Sequence, residues 1–193
     1  MKKMMLLFSV ILFTVVSNSS FGQETQQGMD EGMKTWMEFM TPGPMHEILA
    51  KGAGDWKVKS TFWMYPGAEP QVTDGTAKGE MILGGRYLRV EQSTTVMGMP
   101  MNGVSLEGFD NAKEIFVSTW IDNMGSGISF TEGKYDAEKK MINYEGKMTD
   151  PMTKSDAKFR QTTEWTDDGK IIIKMYGYTQ GVEYQNMEAI FSK

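Results

Sequence analysis

The spacing of apolar residues changes at Gly54-Asp55-Trp56, and that change constrains the fold more than any other feature of the chain. Ahead of it, Met29, Met33, Trp36, Met37, Phe39 and Met40 recur at three- and four-residue intervals, the mark of one helical face. Thr41-Pro42-Gly43-Pro44 ends that stretch. A second short helix fits 45–51, with Ile48 and Leu49 turned inward and Gly52 and Gly54 closing it. From Trp56 onward the period is two. Trp56, Val58, Ser60, Phe62 and Met64 share one face of a strand, and Lys57, Lys59, Thr61, Trp63 and Tyr65 share the other.

Turn residues punctuate the rest. Strands are expected at 72–83, 86–96, 104–110, 114–121, 128–135, 141–148, 157–165, 171–178 and 183–191. The connections fall at Pro66-Gly67, Gly84-Gly85, the 97–103 loop, Asp110-Asn111, the Gly/Asn-rich 122–127, 136–139 and Asp167-Asp168-Gly169. Gly75 and Gly79 mark bulge or bend points in the second strand. About ten strands with no helix-length gap between them imply an all-β, antiparallel domain, either a sandwich or an up-and-down barrel. A short helical segment precedes it.

The first residues carry an export signal. Lys2 and Lys3 form a basic start, 4–16 is an apolar run, and Ser20 and Gly22 stand at the −3 and −1 places for cleavage before Gln23. The run is too short for a membrane span, which needs about 20 residues. The expected divisions are a signal peptide at 1–22, a flexible N-terminus and helical lead-in at 23–52, with 23–31 flexible, and a barrel domain at 53–193. The product would be periplasmic or secreted.

Loss of Lys2 and Lys3 reduces Lys+Arg from 20 to 18 against 25 Asp+Glu, leaving a mature formal charge of −7. No basic block or stripe is present, which argues against nucleic acid and anionic membrane surfaces as partners. With no cysteine, the chain has no disulfide, thiolate nucleophile, Fe–S cluster or Cys-zinc site.

Gly54-Asp55-Trp56 is followed by Gly84-Gly85-Arg86-Tyr87-Leu88, Met99-Pro100-Met101-Asn102-Gly103, Gly108-Phe109-Asp110 and Trp120-Ile121-Asp122. In this order and spacing the chain, from about Glu47 to its end, resembles the bacterial domain of unknown function 1579 family, whose members look like calycin-type β-barrels. The resemblance implies a closed antiparallel barrel with a small interior site and no established activity. In calycins a Gly-x-Trp near the first strand closes the barrel floor, often under a basic residue of the last strand. Here the last strand has no Arg. Lys193 follows it, and Arg160 or Arg86 are the other residues that would fill the role. Haem-binding calycins use a histidine late in the barrel; His46, the single histidine, precedes it, so no cofactor is expected.

Candidate site residues follow from alternation. Trp56, Ser60 and Phe62 share the face that the resemblance puts inside. Arg86, Arg89, Glu91, Glu107, Glu145, Arg160, Glu164 and Glu188 are strand charges, about half of which alternation turns outward. An inward Arg–Glu pair beside Trp120, Tyr144 or Trp165 would anchor a ligand in an apolar pocket. The candidate ligand-binding set is therefore Trp56, Ser60, Phe62, Arg86, Glu91, Trp120, Tyr144 and Arg160, with no catalytic and no metal residue assigned.

Loop aspartates such as Asp110, Asp122 and Asp150 read as turn residues, because no calcium-loop spacing is present. His46 reads as a surface or capping residue. No Gly-x-Ser-x-Gly, His-Glu-x-x-His, P-loop or dinucleotide fingerprint occurs, so the chain reads as a binding protein rather than an enzyme. The alternatives are a cofactor-free enzyme using carboxylate and Arg groups in the barrel, or a Met-rich protein binding a partner or Cu(I) through its 19 methionines. The helical methionine stripe also suits a lid over an open barrel end.

Overall fold

The computed structural model describes residues 20–193, with side chains from Gly28 onward. The basic start and most of the leader read from the sequence lie outside the described residues. Helix α1 spans Ser20–Met40 and α2 spans Pro44–Ala50. The stretch expected to be flexible, 23–31, lies within α1. Among the described residues, 20–38 belong to one unit, and Phe39–Lys193 form the other.

The second unit contains ten strands among the described residues: β1 Gly54–Phe62, β2 Gln71–Ile82, β3 Tyr87–Val96, β4 Met99–Asp110, β5 Ile115–Asp122, β6 Ser129–Asp136, β7 Met141–Asp150, β8 Ser155–Trp165, β9 Ile171–Thr179 and β10 Val182–Ser192. Each pairs antiparallel with its sequence neighbours. β1 also pairs with β10, in register at Val58↔Phe191, and so closes the barrel. One irregularity, between Gln185 and Met187 of β10, interrupts the β9–β10 ladder.

Two hairpins turn in two residues. Met97-Gly98 (φ 53° and 78°) and Gln180-Gly181 (φ 52° and 79°) both hold positive φ, the primed geometry that matches strand twist. The first of these corrects the long loop expected at 97–103. β4 starts at Met99 and pairs through Pro100↔Thr95. Pro100 is tolerated because β5 pairing reaches no further than Gly103, so the proline sits at an edge on that side. A different device recurs at three other turns. Asp110, Asp136 and Asp150 accept backbone N–H groups two residues on, and the residue four positions later (Glu114, Lys140, Lys154) is left-handed. Asp110 and Asp150 are thus the turn residues expected of them.

Gly75 and Gly79 are not bulges: the β1–β2 ladder runs unbroken past Gly75 to Gly79, and the β2–β3 ladder runs unbroken past Gly79. They are glycine because other atoms come too close. A Cβ on Gly79 would stand 2.0 Å from the Gly52 carbonyl oxygen, and one on Gly75 would stand 2.4 Å from that of Ser93.

The hydrophobic core is gathered at one end. Ile48 and Leu49 of α2 join Trp56, Leu88, Phe116, Ile142, Trp165, Ile171 and Phe191 in one buried cluster. Ring contacts run across this floor from His46 to Phe109, Phe116, Tyr135 and Trp165, at centroid separations of 4.9–6.5 Å. His46 is buried, which corrects the surface reading, and it caps α2. Its Nδ1 accepts the Gly43 N–H at 3.0 Å. Burial, ahead of its other influences, holds its pKa below the ordinary histidine value.

Candidate functional site in the barrel interior

Trp56 fixes the lower wall. It is 5% exposed, donates Nε1–H to the Gly52 carbonyl at 3.0 Å, and meets Phe191 edge to face. Lys193 Nζ lies 4.8 Å from the centre of its ring. The cation over the tryptophan is therefore Lys193, and neither Arg160 nor Arg86 takes that place. Arg160 points outward, forks onto the Glu183 carboxylate with two 3.0 Å hydrogen bonds, and stacks on Tyr176. Arg86 lies in the β2–β3 turn and donates to the Leu83 carbonyl.

Above the floor, the barrel encloses a cavity of about 390 Å³. Trp56, Ser60, Phe62 and Trp120 line it. Tyr144 is 1% exposed and sits on the inward face of β7 between Ile142 and Gly146. The remaining candidates are elsewhere. Arg86 and Arg160 occupy the positions just described, and Glu91 is exposed beside Arg89, with 3.4 Å between charged atoms. Five of the eight expected residues thus belong to the interior, and three belong to the outer surface or a turn.

The interior charge that matters is Glu107. Of the eight strand charges read from the sequence, it alone lines the cavity. It lies on β4 two residues before Phe109, which packs against the floor, and opposite Leu88 of β3 and Ser118 of β5. Ser105 Oγ donates to its carboxylate at 3.2 Å. Burial outweighs that hydrogen bond and pushes its pKa up to about 7. Tyr144 is held well above the usual phenol range, first by burial and then by the Glu107 charge.

Four side-chain polar atoms here are buried without a hydrogen-bond partner among the described residues: Ser60 Oγ, Tyr144 Oη, Trp165 Nε1 and Asn186 Oδ1. Native proteins satisfy most such groups, with protein atoms or with ordered water.

A second carboxylate, Asp122, lines the cavity at the end of β5 remote from the floor. It accepts Trp120 Nε1–H at 2.6 Å and the Met124 backbone N–H. Asp122 lies four residues beyond Ser118, the Glu107 partner, which places it roughly 14 Å further along the strand. That distance is too great for a concerted acid–base pair. The inward Arg–Glu pair expected to anchor a ligand does not form at the cavity wall, because no Arg lines it among the described residues.

No group of three or more His, Cys, Asp or Glu residues converges to hold a metal among the described residues. The methionine stripe is on α1, where Met29, Met33 and Met37 are more than half exposed. No described helix is long and apolar enough to cross a membrane.

In the sequence Glu107 is one of eight strand charges and Asp122 a turn residue, and Ser105 and Ser118 carry no signal until the pleat phase of β4 and β5 is fixed. Two aromatic residues would have fixed it. Phe109 has to face inward, which carries Glu107 and Ser105 with it, and Trp120 carries Ser118 and Asp122.

A closed ten-stranded barrel with a Gly-x-Trp floor is the architecture that the family resemblance implied, and the family model described as protein of unknown function DUF1579 matches residues 41–193. The chain belongs to that family. The DUF1579 match begins just ahead of α2 and takes in every strand, so floor, wall and cavity are all family structure. The crystal structure of Rv2717c from M. tuberculosis is similar in fold. It covers 79% of this chain and 99% of its own, with 13% identity and a TM-score of 0.59. No curated protein matches the chain.

Proposed function

We propose that this protein is exported and binds a small, mostly apolar molecule inside its DUF1579 barrel. The observation that carries the reading is the cavity. At about 390 Å³ it falls within the range of small-molecule sites, about 300–1,000 Å³. Its wall combines Trp56, Phe62, Trp120 and Phe159 with a few polar atoms that lack partners. Apolar area supplies affinity, and the sparse polar atoms fix orientation. The leader at 1–22 supports export, with cleavage near Gly22/Gln23.

An environment-sensitive apolar dye is expected to bind the mature protein at one per chain. Ser60→Trp is expected to abolish dye binding, because Ser60 is 1% exposed and lines the cavity. The variant should keep a β-type circular dichroism spectrum and a cooperative melt. Changing Met33, Met37 and Met40 to Leu should leave dye binding intact. Native mass spectrometry of protein purified from its own host would then identify a retained ligand. Dye binding that survives in Ser60→Trp, or no binding by either protein, refutes the reading.

A further inference from the structure

Resting on that proposal, we infer that the cavity selects a ligand whose buried end is a cation, a protonated amine, and disfavours a carboxylate such as a fatty acid. The geometry gives the reason. Two carboxylates line the cavity, Glu107 near the floor and Asp122 at the far end, and no Lys, Arg or His lines it among the described residues. A fatty-acid anion would be buried beside a like charge with no cation to pair with, which is costly. An ammonium group carries three N–H donors. It would meet the Glu107 carboxylate, whose hydrogen bond among the described residues is the 3.2 Å one from Ser105, in a cavity also lined by Ser60, whose buried hydroxyl is without a partner among the described residues.

The surroundings of Glu107 supply no competing cation. Leu88 faces it from β3 and Ser118 from β5. Tyr144 on β7 is the titratable group coupled to it. On α2, His46 lies beyond Phe109, with Nδ1 occupied by the Gly43 N–H and its pKa lowered by burial. Arg89, the nearest charge along β3, is turned outward onto Glu80 and Glu91. Glu107 titrates at about 7, so its charge is present above that pH and lost below it. Amine binding then takes up the ionised form and weakens as pH falls.

The test uses mature protein with three ten-carbon probes, decylamine, decanol and decanoate, titrated calorimetrically at pH 8 and pH 5.5. At pH 8 decylamine should bind about ten- to a hundredfold more tightly than decanol, the advantage of a hydrogen bond to a charged group, with decanoate weakest. At pH 5.5 decylamine should weaken by up to about thirtyfold, the ratio of ionised fractions for a group titrating near 7, while decanoate improves. Glu107→Gln keeps size and shape, and should bind decylamine and decanol alike at both pH values. Decanoate binding tightest at pH 8, or an amine preference unchanged in Glu107→Gln, overturns the inference. Decanol binding without amine preference overturns the inference alone and leaves the cavity reading standing. Failure of all three probes to bind overturns both.

Discussion

Replacing Glu107 with Gln should make the empty barrel more stable at neutral and alkaline pH, and by a predictable amount. Burial raises the Glu107 pKa from 4.5 to about 7, so the folded state holds a proton that the unfolded state releases. Between those two values the native state binds more protons than the unfolded chain. Stability therefore falls as pH rises, and this contribution is fully present below pH 4.5 and lost above about 7. The separation corresponds to about 3 kcal/mol.

Glutamine fills the same volume without titrating. The assay is urea unfolding of wild type and variant at half-unit steps from pH 4.5 to 8.5. The two stabilities should lie closest at the acid end, and the variant should lead by about 3 kcal/mol at pH 8. His46 acts in the opposite sense. Its pKa is lowered by burial, so its contribution is lost as pH falls through the ordinary histidine range. It is common to both proteins and cancels in the difference. Parallel stability curves would refute the placement of Glu107 in a protein-enclosed site and remove the charge on which amine selection rests.

Trp56→Ala should cost about 3–5 kcal/mol, which for a domain of this size lowers the melting temperature by roughly 6–20 °C. Trp56→Phe keeps the ring contact with Phe191 but leaves the Gly52 carbonyl unpaired, and should cost about 1–3 kcal/mol in the same calorimetric scan. Gly79→Ala places a methyl group 2.0 Å from a backbone oxygen that has no rotamer to move, and should lower the melting temperature; a melt at the wild-type temperature would show the α2–β1 corner to be loose. N-terminal sequencing of protein recovered outside the cytoplasm should begin at Gln23, and an intact Met1 in a membrane fraction would contradict export.

The barrel was legible because its turns are written in local chemistry. Asp167-Asp168-Gly169 and the Asp110 turn need only a few residues to specify them. The 97–103 segment reads as a loop because Pro100 and the nearby glycines are loop formers, and only the end of β5 pairing makes the proline harmless. The interior was less legible because the middle of β4, 104–107, carries its hydropathy upside down. Leu106 is 42% exposed, while Ser105 and Glu107 face the cavity. A rule that sends apolar residues inward therefore assigns the wrong phase from Val104 and Leu106, and the right one only from Phe109. The inversion is physically consistent, because a wall that borders a cavity need not be apolar at every position. Arg160 and Glu91 were candidates only because a charge within a strand draws attention. Arg160 meets Glu183 across β9, through the register of three strands that no single segment encodes, whereas Glu91 pairs with Arg89 two residues earlier on the same outer face of β3.

The pairing of β1 with β10 also orders events in folding. Nine of the ten ladders join neighbours in sequence and can form as local hairpins. The tenth joins Val58 to Phe191, about 130 residues apart, and gains contacts only after the entropy of closing the whole chain has been lost. Trp56, Phe191 and Lys193 meet at that seam. Tryptophan fluorescence from residue 56 should therefore change in the slowest refolding phase, after the backbone signal of the hairpins has developed, and an open ten-stranded ribbon is the species that this phase consumes.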